Sequence, residues 1–269
     1  MATVGKPAVS PAGDAVVLSV IPTTSPQDPA TEDLVERLRA DVLPGAGLPV
    51  SLGGATAAFV DQSRATADRL PLFIAGVLAL SFLLLLVSFR SIVVALKAGA
   101  MNLLSIAAAY GVVAYLAEGG WAGQLVGIDT ETPVPPFIPV IMFAVLFGLS
   151  MDYEVFLLSR VREEYMARRD SARAVTEGLA RTARVITAAA LIMVAVFGAF
   201  ALSPDVSLKL IGLGLASAIL VDATVVRMVL VPAVMQLLGD RSWWLPRWLD
   251  RLLPEGGIEG RAPAPAPAG

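Results

Sequence analysis

Carboxylate groups in otherwise apolar stretches of the sequence point to proton chemistry inside a membrane. Asp152 lies in the run PPFIPVIMFAVLFGLSMDYEVFLLSR, about eight residues and about 12 Å of helix before Arg160. A charged side chain at that depth costs roughly 2.5 to 3.5 kcal/mol, so it needs a compensating role. We expect helices to bury Asp152 so that it reversibly carries a proton, with the Tyr153 hydroxyl beside it. The alternative is a carboxylate that only hydrogen-bonds across a helix interface.

A second polar group occurs in the last apolar stretch, LVDATVVRMVLVP. Asp222 and Arg227 are expected to pair with each other or with Asp152, and Thr224 and Asn102 are candidates for the same network. A static ion pair is the alternative for Asp222 and Arg227, and simple helix packing is the alternative for Asn102.

Two further features near Asp152 receive different interpretations. Glu154 lies on another side of the same helix, and we expect it to reach water or an arginine at the cytoplasmic edge rather than to carry protons. Gly148 lies one turn before Asp152, which predicts the close approach of a neighbouring helix.

Residue composition excludes several classes of function. The 269 residues contain neither cysteine nor histidine, which removes disulfides, thiolate nucleophiles, Cys/His zinc sites and the common catalytic triads. A net charge of −3 offers no basic surface for nucleic acid. The Gly212-x-Gly214 pair follows no strand, so it indicates helix packing rather than nucleotide binding. The sequence therefore predicts no enzyme, no metal site and no cofactor.

The elements that must position these side chains are membrane-spanning helices. The chain is 56% hydrophobic and 16% charged, with a mean hydropathy of +0.73. Each of five apolar stretches is near or above the roughly 20 residues that cross a bilayer. They cover residues 71–89, 93–117, 136–158, 185–203 and 208–238 and predict an α-helical integral membrane protein with a five-span bundle.

The positive charges alternate between loops and predict the orientation of the bundle. Arg90 and Lys97 flank the first turn, arginines fill the connector at 160–184, and more arginines follow the fifth span. These segments belong in the cytoplasm by the positive-inside rule. The C-terminus is therefore expected inside and the N-terminal region outside.

The flanking segments complete the expected domain organisation. Residues 1–70 predict a β-α-β piece, with strands at 15–21 and 50–52 and a helix at 31–42, before an amphipathic helix enters the membrane. Residues 240–260 contain three tryptophans and predict a cytoplasmic interfacial helix, or simply an aromatic belt. Residues 261–269 form a Pro/Ala tail that we expect to be disordered. No upstream segment could carry residues 1–70 outside, so we expect the chain to be part of a longer protein.

Three motifs resemble the MMPL (mycobacterial membrane protein large) family of the RND superfamily. They are FGLSMDYEVFLLSRVREEY at 147–165, DATVVRMVLVPAVM at 222–235 and GGATAAFVD at 53–61. The resemblance implies an RND-type bundle preceded by the end of an extracytoplasmic α+β porter domain. It also implies export of lipids or other hydrophobic molecules driven by proton influx, with Asp152 and Tyr153 as one half of the relay.

The same resemblance implies partners and a location. The partners are membrane lipids, a hydrophobic or lipid substrate and the missing N-terminal half of the transporter, and the location is the bacterial plasma membrane. A homo-oligomer is compatible with the sequence. The competing hypothesis is a non-transporting membrane module, such as an assembly domain, a sterol-sensing-like domain or a translocase accessory subunit.

Overall fold

The computed structural model describes residues 3–25, 28–47 and 49–253. The chain divides into two compact units, one formed by Met1–Arg69 with Pro135–Phe137 and the other by Leu70–Val134 with Ile138–Gly269.

The first unit begins with a β-hairpin. Its four two-residue strands pair antiparallel, the outer two with each other and the inner two with each other, so one long hairpin turns near Gly13. The strands are β1 (Thr3–Val4), β2 (Ala8–Val9), β3 (Val16–Val17) and β4 (Val20–Ile21). The expected second strand at 50–52 is wrong, because residues 49–52 have no regular structure. Strands therefore precede the helix but none follows it among the described residues of this unit.

Helix α1 (Pro29–Arg37) follows the hairpin. Asp28 caps it by accepting a hydrogen bond from the Ala30 amide at 2.8 Å, and proline at the first helical position suits a site that needs no amide donor. Arginine–carboxylate pairs join α1 and the turn after it to the start of the next helix, Arg39 with Asp61 and Arg64 with Glu32.

The five predicted spans are confirmed as five long apolar helical segments. They are α2 (Ala55–Phe89), α3 (Ile92–Ala117), α5 (Phe137–Arg168), α6 (Ser171–Gly198, extended to Leu202 by a 3₁₀ turn) and a fifth segment, Val206–Trp243. A short helix, α4 (Trp121–Leu125), lies between α3 and α5. Each of the five long segments is long enough to cross a bilayer.

The fifth segment changes its helical geometry along its length. It consists of α7 (Val206–Val221), a π-helical stretch from Asp222 to Leu230, α8 (Val231–Leu238) and a final 3₁₀ turn from Gly239 to Trp243. Hydrogen bonds in a π-helix join residues five apart rather than four. The stretch ends just before Pro232, which has no amide hydrogen to continue a regular ladder.

Two clusters of buried apolar side chains hold the helices of the second unit together. One includes Met142, Phe143 and Leu210, and the other includes Leu158 and Met235. The buried polar residues that lie along α3 and α5 between the positions of one cluster and those of the other are Asn102, Ser105, Ser150 and Glu154, and in the fifth segment Asp222 and Arg227 lie where the two clusters meet. The apolar clusters therefore enclose a polar layer.

Glycine allows the close helix packing that the small residues predict. A Cβ atom at Gly214 would lie 2.5 Å from side-chain atoms of Met142 and Val113, and one at Gly178 would lie 2.7 Å from Val161. A Cβ atom at Gly212 would collide with Phe200. Small residues at these positions let neighbouring backbones approach.

The segment after the fifth span does not form the predicted interfacial helix through residue 253. It consists of a 3₁₀ turn (Gly239–Trp243) and a short helix, α9 (Arg247–Asp250). Trp243 stacks on Tyr165 with 5.2 Å between ring centroids, so it packs on protein. Arg90 donates to Asp250 at 2.7 Å, which fixes α9 at the α2–α3 turn. The predictions for residues 254–260 and for the tail at 261–269 lie outside the described residues.

Candidate functional site

Asp152 lies on an exposed face of α5, about 22 Å of helix from Phe137. The expectation that helices of this chain bury it is wrong. Ala144 and Gly148 precede it on the same exposed face at four-residue spacing, and a Cβ atom at Gly148 would meet nothing within 4 Å. Among the described residues, Asp152 has no hydrogen-bond or ion-pair partner. This face of α5 is therefore open to a further helix.

Tyr153 connects that face with the interior of the bundle. Its side chain is half-buried, and its hydroxyl lies 3.4 Å from the sulfur of Met193 on α6. The guanidinium of Arg227 lies over its ring, 5.4 Å from the centroid, which is within the range of a cation–π interaction. Tyr153, which follows Asp152 in the sequence, is thus in contact with the buried charges.

Asp222 and Arg227 form an ion pair buried in the polar layer. Nη2 of Arg227 lies 2.7 Å from Oδ2 of Asp222, and both residues are buried. The π-helical stretch explains the pairing, because residues five apart lie above each other in a π-helix but on different sides of an α-helix.

Serine and asparagine side chains from α3 and α5 surround this pair. Ser105 donates to Oδ1 of Asp222 at 2.8 Å, and the backbone carbonyl of Ser150 accepts from Arg227 at 3.0 Å. The hydroxyl of Ser150 donates to Oδ1 of Asn102 at 2.6 Å. The network therefore ties three helical segments together around one buried ion pair.

A small cavity lies at the centre of this network. Its volume is about 20 Å³, and its polar walls are formed by Asn102, Ser105, Ser150, Tyr153, Asp222 and Arg227. That volume is enough for one water molecule. Nη1 of Arg227 is buried and has no partner among the described residues. It is therefore available to donate a hydrogen bond to a water molecule in the cavity.

Thr224 does not join the network. Its hydroxyl donates to the Leu220 carbonyl of its own helix at 2.5 Å, and the residue is exposed. The hydroxyls that do join, from Ser105 and Ser150, were absent from the sequence-based site. Ser150 lies within the Asp-Tyr motif, two residues before Asp152. This position is the signal in the sequence that could have identified Ser150 as a site residue.

A second buried ion pair joins α3 to α5. Lys97 and Glu154 lie 3.4 Å apart, and both side chains are only 4% exposed. The assignment of Lys97 to a cytoplasmic turn is wrong because α3 begins at Ile92 and carries Lys97 into the bundle. The expected partner of Glu154, water or an arginine, is likewise replaced by a lysine.

Within the described ranges, no three acidic side chains come together in a way that could hold a metal ion. The charged groups at the centre of the bundle are paired carboxylates and cations. They can exchange protons and change their pairing when helices move.

Five apolar helices around a buried polar network define a multi-pass α-helical membrane protein. The MMPL family model matches residues 2–255. The chain belongs to the MMPL family.

Three relatives show the range of proteins that this chain resembles. It is 41% identical over 97% of its length to the mycolic acid-containing lipids exporter MmpL11 of Mycolicibacterium smegmatis. It is 38% identical over 92% of its length to the membrane protein YdfJ of Bacillus subtilis, and 39% identical over 83% to the trehalose monomycolate exporter MmpL3 of Mycolicibacterium smegmatis. The chain spans 28%, 34% and 22% of these relatives, respectively.

Proposed function

We propose that this chain is the C-terminal segment of an exporter that is driven by the proton-motive force and moves lipids or other hydrophobic molecules. Two of the relatives above are named as exporters, of mycolic acid-containing lipids and of trehalose monomycolate. Asp152 and Tyr153 form one half of the proton relay. The observation that carries the proposal is the exposed Asp152 at the middle of a membrane helix, which has no partner in the part of the chain that the structure describes.

The energetics of that carboxylate support a relay between two halves. A charged side chain facing lipid at this depth costs roughly 2.5 to 3.5 kcal/mol, and a partner surface would remove much of this cost. The open face with Ala144 and Gly148 suits close packing of another helix. A homologous half of the transporter supplies that helix, and Asp152 then gains and loses its proton at the interface.

Tyr153 and Arg227 provide the coupling between the proton and the rest of the bundle. Arg227 contacts the Tyr153 ring and also binds Asp222 and Ser150. A change in the charge of Asp152 alters the field at Tyr153 and Arg227, and the π-helical stretch that carries Arg227 responds. The network of Asp222, Arg227 and Asn102 thereby links proton binding to helix movement.

Export should depend on the proton gradient if this proposal holds. We expect vesicles that contain the longer transporter to export lipid only while a proton gradient is present, and a protonophore to stop export. Vesicles that contain this 269-residue chain alone should export nothing, since the other half of the relay is absent from it. Gradient-independent export, or export by the chain alone, would refute the proposal, and a requirement for the segment only in assembly would favour a non-transporting module.

The proposed orientation places the N-terminal region outside the cell and the C-terminus in the cytoplasm. Because the chain has no cysteine, single cysteines can be interpreted without a background. Gly120→Cys and Ala172→Cys replace exposed residues, the first in the connection after α3 and the second in the first turn of α6. We expect a membrane-impermeant thiol reagent to label the first in intact cells and the second only after permeabilisation. The reverse pattern would contradict the orientation.

A further inference from the structure

We propose that Lys97 and Glu154 form a second proton-binding site in the bundle, separate from Asp152 and Tyr153. The inference deepens the proposed function and rests on it for its role in transport, whereas proton binding at the site can be measured without transport. The proton binds at a carboxylate oxygen of Glu154.

The first argument is the geometry of the pair. Lys97 lies on α3 and Glu154 on α5, and each side chain is 96% buried within apolar membrane helices. At 3.4 Å the groups attract each other, but neither Nζ of Lys97 nor Oε1 of Glu154 has a hydrogen-bond partner among the described residues. A buried pair of fixed structural role is normally fully hydrogen-bonded, because each unsatisfied polar atom is costly. The loose contact leaves Oε1 available for a proton.

The second argument is the charge surrounding the pair. The fifth segment contributes Arg227, which acts electrostatically on Lys97, and Arg227 is paired with Asp222. Helix α2 packs nearby through Leu85 and Leu86, and its sequence from 70 to 89 carries no charge. On α6, the one charged residue between Thr182 and the end of the helix at Gly198 is Arg184, and its side chain is exposed.

The resulting buried cluster is electrically balanced. Two cations, Lys97 and Arg227, face two carboxylates, Glu154 and Asp222. A proton added to Glu154 makes the cluster net positive in a medium that screens charge poorly. Protonation therefore weakens the attraction that joins α3 to α5, and a shift of these helices relieves the excess charge.

The third argument is the position of Glu154 along α5. Ser150, which belongs to the central network, lies four residues before Glu154, and both are buried. Side chains at this spacing are neighbours on one helix face. Proton binding forms an O–H bond at Glu154 and release breaks it, with the proton passing to water. No oxidant or reductant is required.

Infrared difference spectroscopy on the full chain in lipid nanodiscs tests the site. Protonated carboxyl groups give a carbonyl band distinct from those of carboxylates and amides, so a pH change reports each group that binds a proton. We expect Asp152→Asn to leave a band from a buried carboxyl group, and Glu154→Gln in that background to remove it. Glu163→Gln is the matched control, since Glu163 is a carboxylate of the same helix that lies at the surface and pairs with Arg160.

A further variant distinguishes loss of the carboxyl group from misfolding of the chain. Glu154→Gln alone leaves Lys97 as an unpaired buried charge, which is strongly destabilising. The double variant Lys97→Gln/Glu154→Gln keeps the shape of the pair without its charges, and we expect it to fold and to lack the band. If the band persists in the folded double variant, or disappears only with Asp222→Asn, the proposal is overturned.

The outcome is separable from the proposed function. Loss of the band with Glu154→Gln, together with normal export by an Asp152→Asn transporter, would support this site and refute the Asp152 relay. An unchanged band in Glu154→Gln, together with abolished export by an Asp152→Asn transporter, would refute this site and support the Asp152 relay.

Discussion

Asp152→Asn is expected to abolish proton-coupled export by the longer transporter while leaving its expression and folding close to normal. Asparagine keeps the size and hydrogen-bonding capacity of the side chain but cannot gain or lose a proton at physiological pH. We expect export to fall by at least about 100-fold, the order of magnitude seen when a positioned proton-transfer group is removed. Folding should change little because Asp152 is exposed and has no partner within the described part of this chain. Export and proton influx measured in the same vesicles check the prediction.

Matched variants on the same helix make this result specific. Glu163→Gln is the same chemical change at a surface carboxylate, so it should export normally. Tyr153→Phe removes the hydroxyl contact with Met193 but keeps the ring that Arg227 covers, so we expect only a partial loss. Normal export by Asp152→Asn would show that this carboxylate is an interhelical hydrogen-bonding group and not a carrier.

Arg227→Gln is expected to cause the largest loss of stability among single changes in the polar layer. The change leaves the Asp222 carboxylate buried without its cation and removes the contacts with the Ser150 carbonyl and the Tyr153 ring. Breaking one side of a buried ion pair costs about 3 to 5 kcal/mol. Thermal or denaturant unfolding of the chain in detergent measures this loss as a lower midpoint.

Two comparisons separate the ion pair from general disruption of the fifth segment. Thr224→Val changes a residue three positions from Arg227, whose exposed hydroxyl bonds only within its own helix, and it should shift the free energy of unfolding by no more than about 0.5 kcal/mol. The double variant Asp222→Asn/Arg227→Gln removes both charges and should recover part of the loss. Equal midpoints for Arg227→Gln and the unchanged chain would mean that the pair carries no net stability.

The number of spans could be predicted because their signal is contained in the chain itself. A helix that crosses a bilayer must satisfy its own backbone hydrogen bonds and present apolar side chains over about 20 residues. Each predicted stretch meets this condition, and the five long helices cover all of them to within one residue. The family could likewise be recognised from contiguous motifs, above all the one around Asp152.

The short elements were harder to predict because their structure depends on packing. Val50 and Leu52 alternate with Ser51 as in a half-buried strand, but a strand needs a neighbouring strand and the described residues provide none for them. Residues 242–253 have the composition of an interfacial helix. Hydrogen bonding of Ser91 to the Ser242 carbonyl and stacking of Trp243 on Tyr165 hold them as a turn and one short helix instead.

The buried charges separate most clearly what the sequence determines from what the tertiary structure decides. By themselves, the residue types and their spacing determined that Asp152, Asp222 and Arg227 lie within membrane-spanning segments, since hydropathy is a local property. Only the tertiary structure decided which of them meet. A π-helical stretch turned residues five apart into an ion pair, and α3 carried Lys97 to Glu154, whereas Asp152 lies on a face that this chain leaves open. The physical reason is that the depth of a residue in the membrane follows from its position along one helix, but its partners follow from the rotation and contacts of several.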